Sequence, residues 1–221
     1  MSSPLSEENR LSDTQKAVVP IAAFAASGDM QKLNLALHTG LDSGLPINAI
    51  KELLVQAYAY AGFPRSLNAL SALMNVVETR RERGLADIVG PEPSHIAPVA
   101  AALLDVGTRN QTALVGAPVK GALFDFAPAI GTFLKTHLFG DIFSRDSVDW
   151  QVRELATISM LAALDGADSQ LQSHLGISLN VGLTENQLVD FVGVLSERVD
   201  QTAATRAEEA LKRLRDSKKR G

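Results

Sequence analysis

The chain has 221 residues, 46% of them hydrophobic and 5% aromatic, with a formal net charge of −4, a pI near 5.6 and a mean hydropathy of +0.07. That is enough apolar material to bury a full core in one or two domains. It lacks the concentrated positive field that dedicated binders of nucleic acid or anionic membrane use, and with no cysteine it has no disulfide, thiolate metal site or thiol redox chemistry.

The N-terminal stretch Met1 to Arg10 has neither the basic start nor the apolar run of a signal peptide, so a cytoplasmic location is expected. No apolar run approaches the roughly 18 residues of a spanning helix, and Ala97 to Leu104 is too short. Helical signals follow almost without interruption. Ser12 and Gln15 form a capping box before Ala17, Val18, Ile21, Ala22 and Ala25, with Gly28 as the stop and Pro20 expected to bend the helix. Asp29 suits the cap of the next helix, where Leu33, Leu37 and Leu41 share a stripe that ends at Gly44. Pro46 suits the first turn of a third helix, through Ile50, Leu53, Leu54 and Ala57.

Gly62-Phe63-Pro64 breaks the chain after Tyr58 to Ala61. A long helix is predicted next, with Leu67, Leu70, Met74 and Val77 as its apolar positions and Gly84 as its end. Gly90-Pro91-Glu92-Pro93 is the strongest linker signal.

Beyond the linker the plan repeats. At the 138-residue offset between Gly44 and Gly182, Ala25 falls on Ala163, Gly28 on Gly166, Leu33 on Leu171, Leu37 on Leu175, Leu41 on Leu179, Leu45 on Leu183 and Asn48 on Asn186. Thr184 and Gln187 form a second capping box. Paired glycines where both helices must stop point to an internal duplication, with residues 1–90 as a first helical repeat and 91–221 as a second. The copies differ where chemistry is concerned. Glu154 falls on Lys16 and His174 on Ala36, so only the second copy carries a carboxylate and an imidazole, whereas the tyrosine-rich Tyr58 to Pro64 segment of the first lies opposite Ser196-Glu197-Arg198. A site built from both copies is expected. A carboxylate within reach of an imidazole fixes its tautomer, as a proton-transfer site needs.

The duplicated pattern, the segments Leu138 to Arg145 and Arg153 to Thr184, and Tyr60-Ala61-Gly62-Phe63-Pro64-Arg65-Ser66-Leu67-Asn68-Ala69 together resemble the carboxymuconolactone decarboxylase family over nearly the whole chain. The resemblance implies an all-α, tandem-duplicated helical bundle of the alkylhydroperoxidase D-like type. It also implies two functional branches. In the thiol branch, a Cys-x-x-Cys pair lies seven and four residues before the family histidine; those positions here are Ala167 and Gln170, so a peroxidase-like antioxidant role would rest on family membership alone and lacks the thiolate it needs. The decarboxylase branch keeps the glutamate and histidine without cysteines, as at Glu154 and His174.

On that reading the chain is a cofactor-free decarboxylase or isomerase of a small carboxylated lactone or related organic acid in aromatic compound catabolism, a carbon–carbon lyase. His174 is the candidate acid/base and Glu154 orients it. The alternative is a ligand-binding or scaffold member without catalysis. Arg145 and Arg65 are candidate anion contacts, because guanidinium groups grip carboxylates with two bonds, and Tyr60 is a third substrate contact. His137, read as closing a helix at Lys135 to Gly140, is a second catalytic candidate. His38 and His95 read as surface or loop residues without a role. No metal site or cofactor is expected: there is no HExxH, GxGxxG or GxxxxGK, only a loose His137 with Asp141. The basic end, Lys212 to Arg220, fits cations on a last helical turn. Leu155, Ile158, Met160 and Leu161 place apolar side chains on several faces of one helix, which predicts burial against a partner subunit. The resemblance implies rings of six for single-repeat members of the family, so a trimer of two-repeat chains is expected.

Overall fold

The computed structural model describes residues 10–94 and 100–218. His95, Lys219, Arg220 and the first nine residues lie outside the described residues. Among the described residues the chain is all-α, with no strand, and no helix is long and apolar enough to cross a membrane. The elements are α1 (Asp13–Ser27), α2 (Met30–Asp42), α3 (Ile47–Gln56), α4 (Tyr58–Ala61), α5 (Phe63–Glu82), α6 (Ala100–Val115), α7 (Ala122–Phe126), α8 (Pro128–Phe133), a π-helix (Leu134–Ile142), α9 (Trp150–Ala162), α10 (Asp168–Asn180), α11 (Glu185–Arg198) and α12 (Gln201–Lys218).

Two compact units form: residues Met1–Gly90 with Gln151–Gly221, and residues Pro91–Trp150. One boundary between the units falls at the Gly90-Pro91 linker, and the chain from Gln151 onward packs with the first ninety residues.

In the larger unit, α1 and α9 are central. Residues Ala17 to Ala26 are all buried, as are Arg153 to Ala162, the pattern of a helix enclosed on every side. Leu155, Ile158, Met160 and Leu161 are therefore covered within the chain itself, and their apolarity needs no partner subunit. α1 runs unbroken through Pro20, and both predicted capping boxes form, Ser12 with Gln15 and Thr184 with Gln187. Asp29 caps α2 through the Lys32 amide. Pro46 precedes α3 as its cap, without a side-chain bond. Instead, the carbonyls of Ile88 and Val89 accept from the Ile47 and Asn48 amides, and Asn48 Nδ2 donates to the Gly90 carbonyl, so the 88–90 segment satisfies the open end of the helix.

On α5 the buried face is not the predicted one. Ser66, Ala69, Leu73, Val76 and Arg80 turn inward, while Leu67 and Met74 are 58% and 66% exposed. Two apolar stripes interleave on this helix, and periodicity alone does not choose between them; the stripe with small Ser66 and Ala69 takes the core. His38 sits on α2, not in a loop, 3.4 Å from a guanidinium nitrogen of Arg80, which also makes two-point bonds to Asp87 and reaches Asp42.

Helix bounds recur at the 138-residue offset. α2 and α10 correspond end for end, α3 and α11 start in register, as do α5 and α12, and α1 and α9 differ by one residue at the start. The packing recurs too: α2 and α3 lie against α5 as α10 and α11 lie against α12.

In the smaller unit, α6 lies against the π-helix backbone to backbone. A Cβ on Gly107 would fall 1.6 Å from the Lys135 carbonyl oxygen, and one on Gly140 would fall 2.6 Å from that of Leu103. Asn110 Nδ2 donates to the Phe139 carbonyl at 2.8 Å. His137 lies inside the π-helix and not in the last turn of an α-helix; its Nδ1 is 3.4 Å from Asp141, on an exposed face.

Gly107→Ala is expected to lower the urea midpoint by an amount equivalent to about 1–3 kcal/mol, since neither backbone has room to yield. Gly176→Ala, whose new Cβ meets only Leu214 Cδ1 at 3.6 Å, should be neutral or stabilising by up to about 1 kcal/mol. Equal losses at both positions would contradict the close-approach account.

Candidate active site

Two consecutive turns of α9 carry Arg153, Glu154 and Thr157 into the interior, and each of the three finds a partner on another element. Arg153 is fully buried; its Nη2 donates to Glu52 Oε2 at 3.2 Å and its Nη1 to Gln56 Oε1 at 3.1 Å. Gln56 Nε2 returns a bond to the Arg153 carbonyl at 3.1 Å and donates to Thr157 Oγ1 at 2.9 Å. Glu52 and Gln56 are one turn apart on α3, and so are Arg153 and Thr157 on α9. Two ladders of i, i+4 side chains therefore face each other, and the charge on Arg153 is matched where no water reaches it.

This anchorage sets the rotation of α9 and with it the direction of Glu154. That carboxylate is fully buried, and its Oε2 lies 2.7 Å from Nδ1 of His174 on α10, whose side chain keeps 13% of its surface. With Glu154 ionised, an acceptor-only carboxylate requires Nδ1–H as donor, which leaves Nε2 as the reactive nitrogen. Glu154 Oε1 is buried and finds no donor among the described residues, a costly arrangement that a donor on a bound molecule would relieve.

Tyr60 closes the group. Its ring meets the His174 imidazole edge-on at 6.1 Å between centroids, and its hydroxyl accepts from Thr157 Oγ1 at 3.3 Å. Burial at the hydroxyl and the negative charge of Glu154 push the phenol above its ordinary range, outweighing the opposite effects of Thr157 and Arg153. It stays a neutral hydrogen-bond donor wherever an ordinary tyrosine would.

The structure thus brings together Glu154, His174 and Tyr60, one from the first ninety residues and two from the last seventy. Arg65 is committed elsewhere: its Nη1 donates to the Ala26 carbonyl and caps the C-terminal end of α1. His137 and Arg145 belong to the smaller unit, where Arg145 is half-buried and its amide donates to the Ile142 carbonyl. Glu52, Gln56, Arg153 and Thr157 escaped the sequence reading. The signal was there: two i, i+4 polar pairs, Glu52 with Gln56 and Arg153 with Thr157, each on a helix with apolar residues beside them.

Residues 128–213 match the model of the carboxymuconolactone decarboxylase family. This segment belongs to the carboxymuconolactone decarboxylase family. It holds Arg153, Glu154, Thr157 and His174, and the all-α fold agrees with the decarboxylase and alkylhydroperoxidase D-like type. Glu52, Gln56 and Tyr60 come from outside the matched residues. No curated protein matches the chain.

Removing one partner of the buried network should be severe, because it strands a charge: Glu52→Gln or Arg153→Met is expected to cost about 3–5 kcal/mol in urea unfolding, and replacing both should recover part of that. An additive double mutant would refute the coupling. For Tyr60, a folded value above the unfolded one means that the folded state holds the proton more tightly. The resulting stability is complete below about pH 10 and is lost as pH rises above it. Tyr60→Phe should therefore show a shallower loss of stability at alkaline pH than the wild type.

Proposed function

We propose that the chain is a cofactor-free decarboxylase, or isomerase, of a small carboxylated lactone, with His174 as acid/base and Glu154 holding its ring. The observation that carries this reading is the 2.7 Å contact between Glu154 Oε2 and His174 Nδ1, made by a carboxylate with no solvent exposure and an imidazole with a little. Loss of carbon dioxide breaks the bond between the carboxylate carbon and the ring. Its electron pair enters the conjugated lactone, and a proton must then reach the ring carbon. As the imidazolium, His174 gives its Nε2 proton to that carbon and is left as the neutral Nδ1–H tautomer, which Glu154 holds in one orientation until solvent returns a proton to Nε2. Tyr60, held neutral, donates to the lactone oxygen where negative charge gathers. The unpaired Glu154 Oε1 would accept from a hydroxyl or acidic C–H of the substrate. Cysteine chemistry has no residue to work with.

Ultraviolet assay of the purified chain on a panel of carboxymuconolactones tests this. His174→Ala should lower turnover by roughly 10²-fold or more with the thermal transition unchanged, and Glu154→Gln should lower it less. Equal turnover in wild type and His174→Ala removes the imidazole from the chemistry; ligand-induced stabilisation without product would favour a binding protein instead.

Assembly as a trimer rests on the family resemblance and on the apolar stripe that α5 leaves uncovered at Phe63, Leu67 and Met74. Light scattering should give about three times the 23.5 kDa chain mass, and a monomer would defeat it.

A further inference from the structure

We infer that the larger unit holds a second binding site, at the counterpart position of the Glu154–His174–Tyr60 group, which takes a small carboxylate with an apolar body. The lining of a cleft of about 240 Å³ includes Phe24, Lys32, Leu35, Ala36, Thr39 and Arg198. At the 138-residue offset Ala36 stands where the other group has His174, and Arg198 where it has Tyr60. The exchange of copies is also preserved. Tyr60 of the first copy completes a group on α9 and α10, and Arg198 of the second completes a cleft on α1 and α2.

The chemistry of the two positions has diverged. The cleft contains no imidazole and no carboxylate among its lining residues, so it lacks the pair that the other group uses. What it has is apolar walls and two cations. Arg198, in the last turn of α11, is exposed and makes no hydrogen bond or ion pair among the described residues. Lys32 Nζ stands 5.5 Å over the Phe24 ring and 3.4 Å from Asp29. The Thr39 hydroxyl donates to the Leu35 carbonyl at 3.1 Å, leaving its oxygen to accept. An apolar floor with a fork-shaped cation at its edge selects a carboxylate over a neutral or cationic ligand. The volume lies below the roughly 300–1,000 Å³ of pockets for drug-sized ligands, which suits a single ring or a short chain.

Calorimetric titration of the full chain with 4-methylbenzoate, beside its neutral twin 4-methylbenzamide, tests the site. The acid should bind at least about tenfold more tightly than the amide, Arg198→Ala should weaken the acid about tenfold or more while leaving the amide unchanged, and His174→Ala should leave both unchanged. Binding abolished by His174→Ala would assign the ligand to the other group and overturn the inference, as would equal affinity for acid and amide, or no binding. Sedimentation of the same variants distinguishes the remaining occupant. If Arg198→Ala changes the assembly state, the cleft is a contact between copies of the chain and not a ligand site.

Discussion

Burying Arg153 commits this fold to a fixed meeting of two helices. A guanidinium with no surface left is tolerable only when its charge is matched, and here Glu52 and Gln56 meet its two terminal nitrogens from a single face of α3. The Gln56 amide then satisfies the Arg153 carbonyl and the Thr157 hydroxyl on α9. Because both ladders follow the helical repeat, a rotation of either helix by one residue would break several bonds at once. Rotational freedom at α9 is what would spoil the neighbouring residue, since Glu154 has no other means of keeping its carboxylate toward His174. The structural pair and the reactive pair are adjacent in sequence for that reason.

The same meeting recurs in altered form on the other side of the unit. Asp190 is the counterpart of Glu52 at the 138-residue offset, and it reaches from α11 to Arg10 and to the Leu11 amide at the start of α1. Arg206 donates to the Leu164 carbonyl at the end of α9, as Arg65 does to the corresponding Ala26 carbonyl at the end of α1. These shared devices maintain the exchange of helices between halves. The residues that differ are those with chemistry to perform: a buried guanidinium network and an imidazole on one side, apolar walls with Lys32 and Arg198 on the other.

Much of this was legible. Capping boxes, the Asp29 cap and the Gly44 and Gly182 stops are local devices, each decided within four or five residues, and they mark helix ends in both copies. Glu154 and His174 stood out because one copy has them and the other does not. What sequence could not supply was the choice between competing faces, as on α5, where Leu67 and Met74 obey the helical period as well as Leu73 and Val76 do. Nor could it tell that Arg65 would be taken up by a helix end, since that depends on where α1 stops in space. The π-helix was missed for a related reason: nothing in Leu134 to Ile142 forbids an ordinary helix, and the widened turn accompanies a close approach enforced by Gly107 and Gly140 from different segments.

The relation between Tyr60 and Glu154 shows how the anchoring and reacting parts depend on each other. The carboxylate's charge, in a place with little water to screen it, is one of the causes that keep the Tyr60 phenol protonated; were Glu154 neutral, that contribution would vanish. A protonated phenol, an imidazole fixed by its Nδ1 and a carboxylate oxygen without a donor form a set in which each group's state follows from its neighbour's. Such a set favours a molecule that brings both an acceptor for the phenol and a donor for the free carboxylate oxygen. A molecule that carries both a carbonyl and a hydroxyl satisfies the two demands, and a simple hydrocarbon satisfies neither.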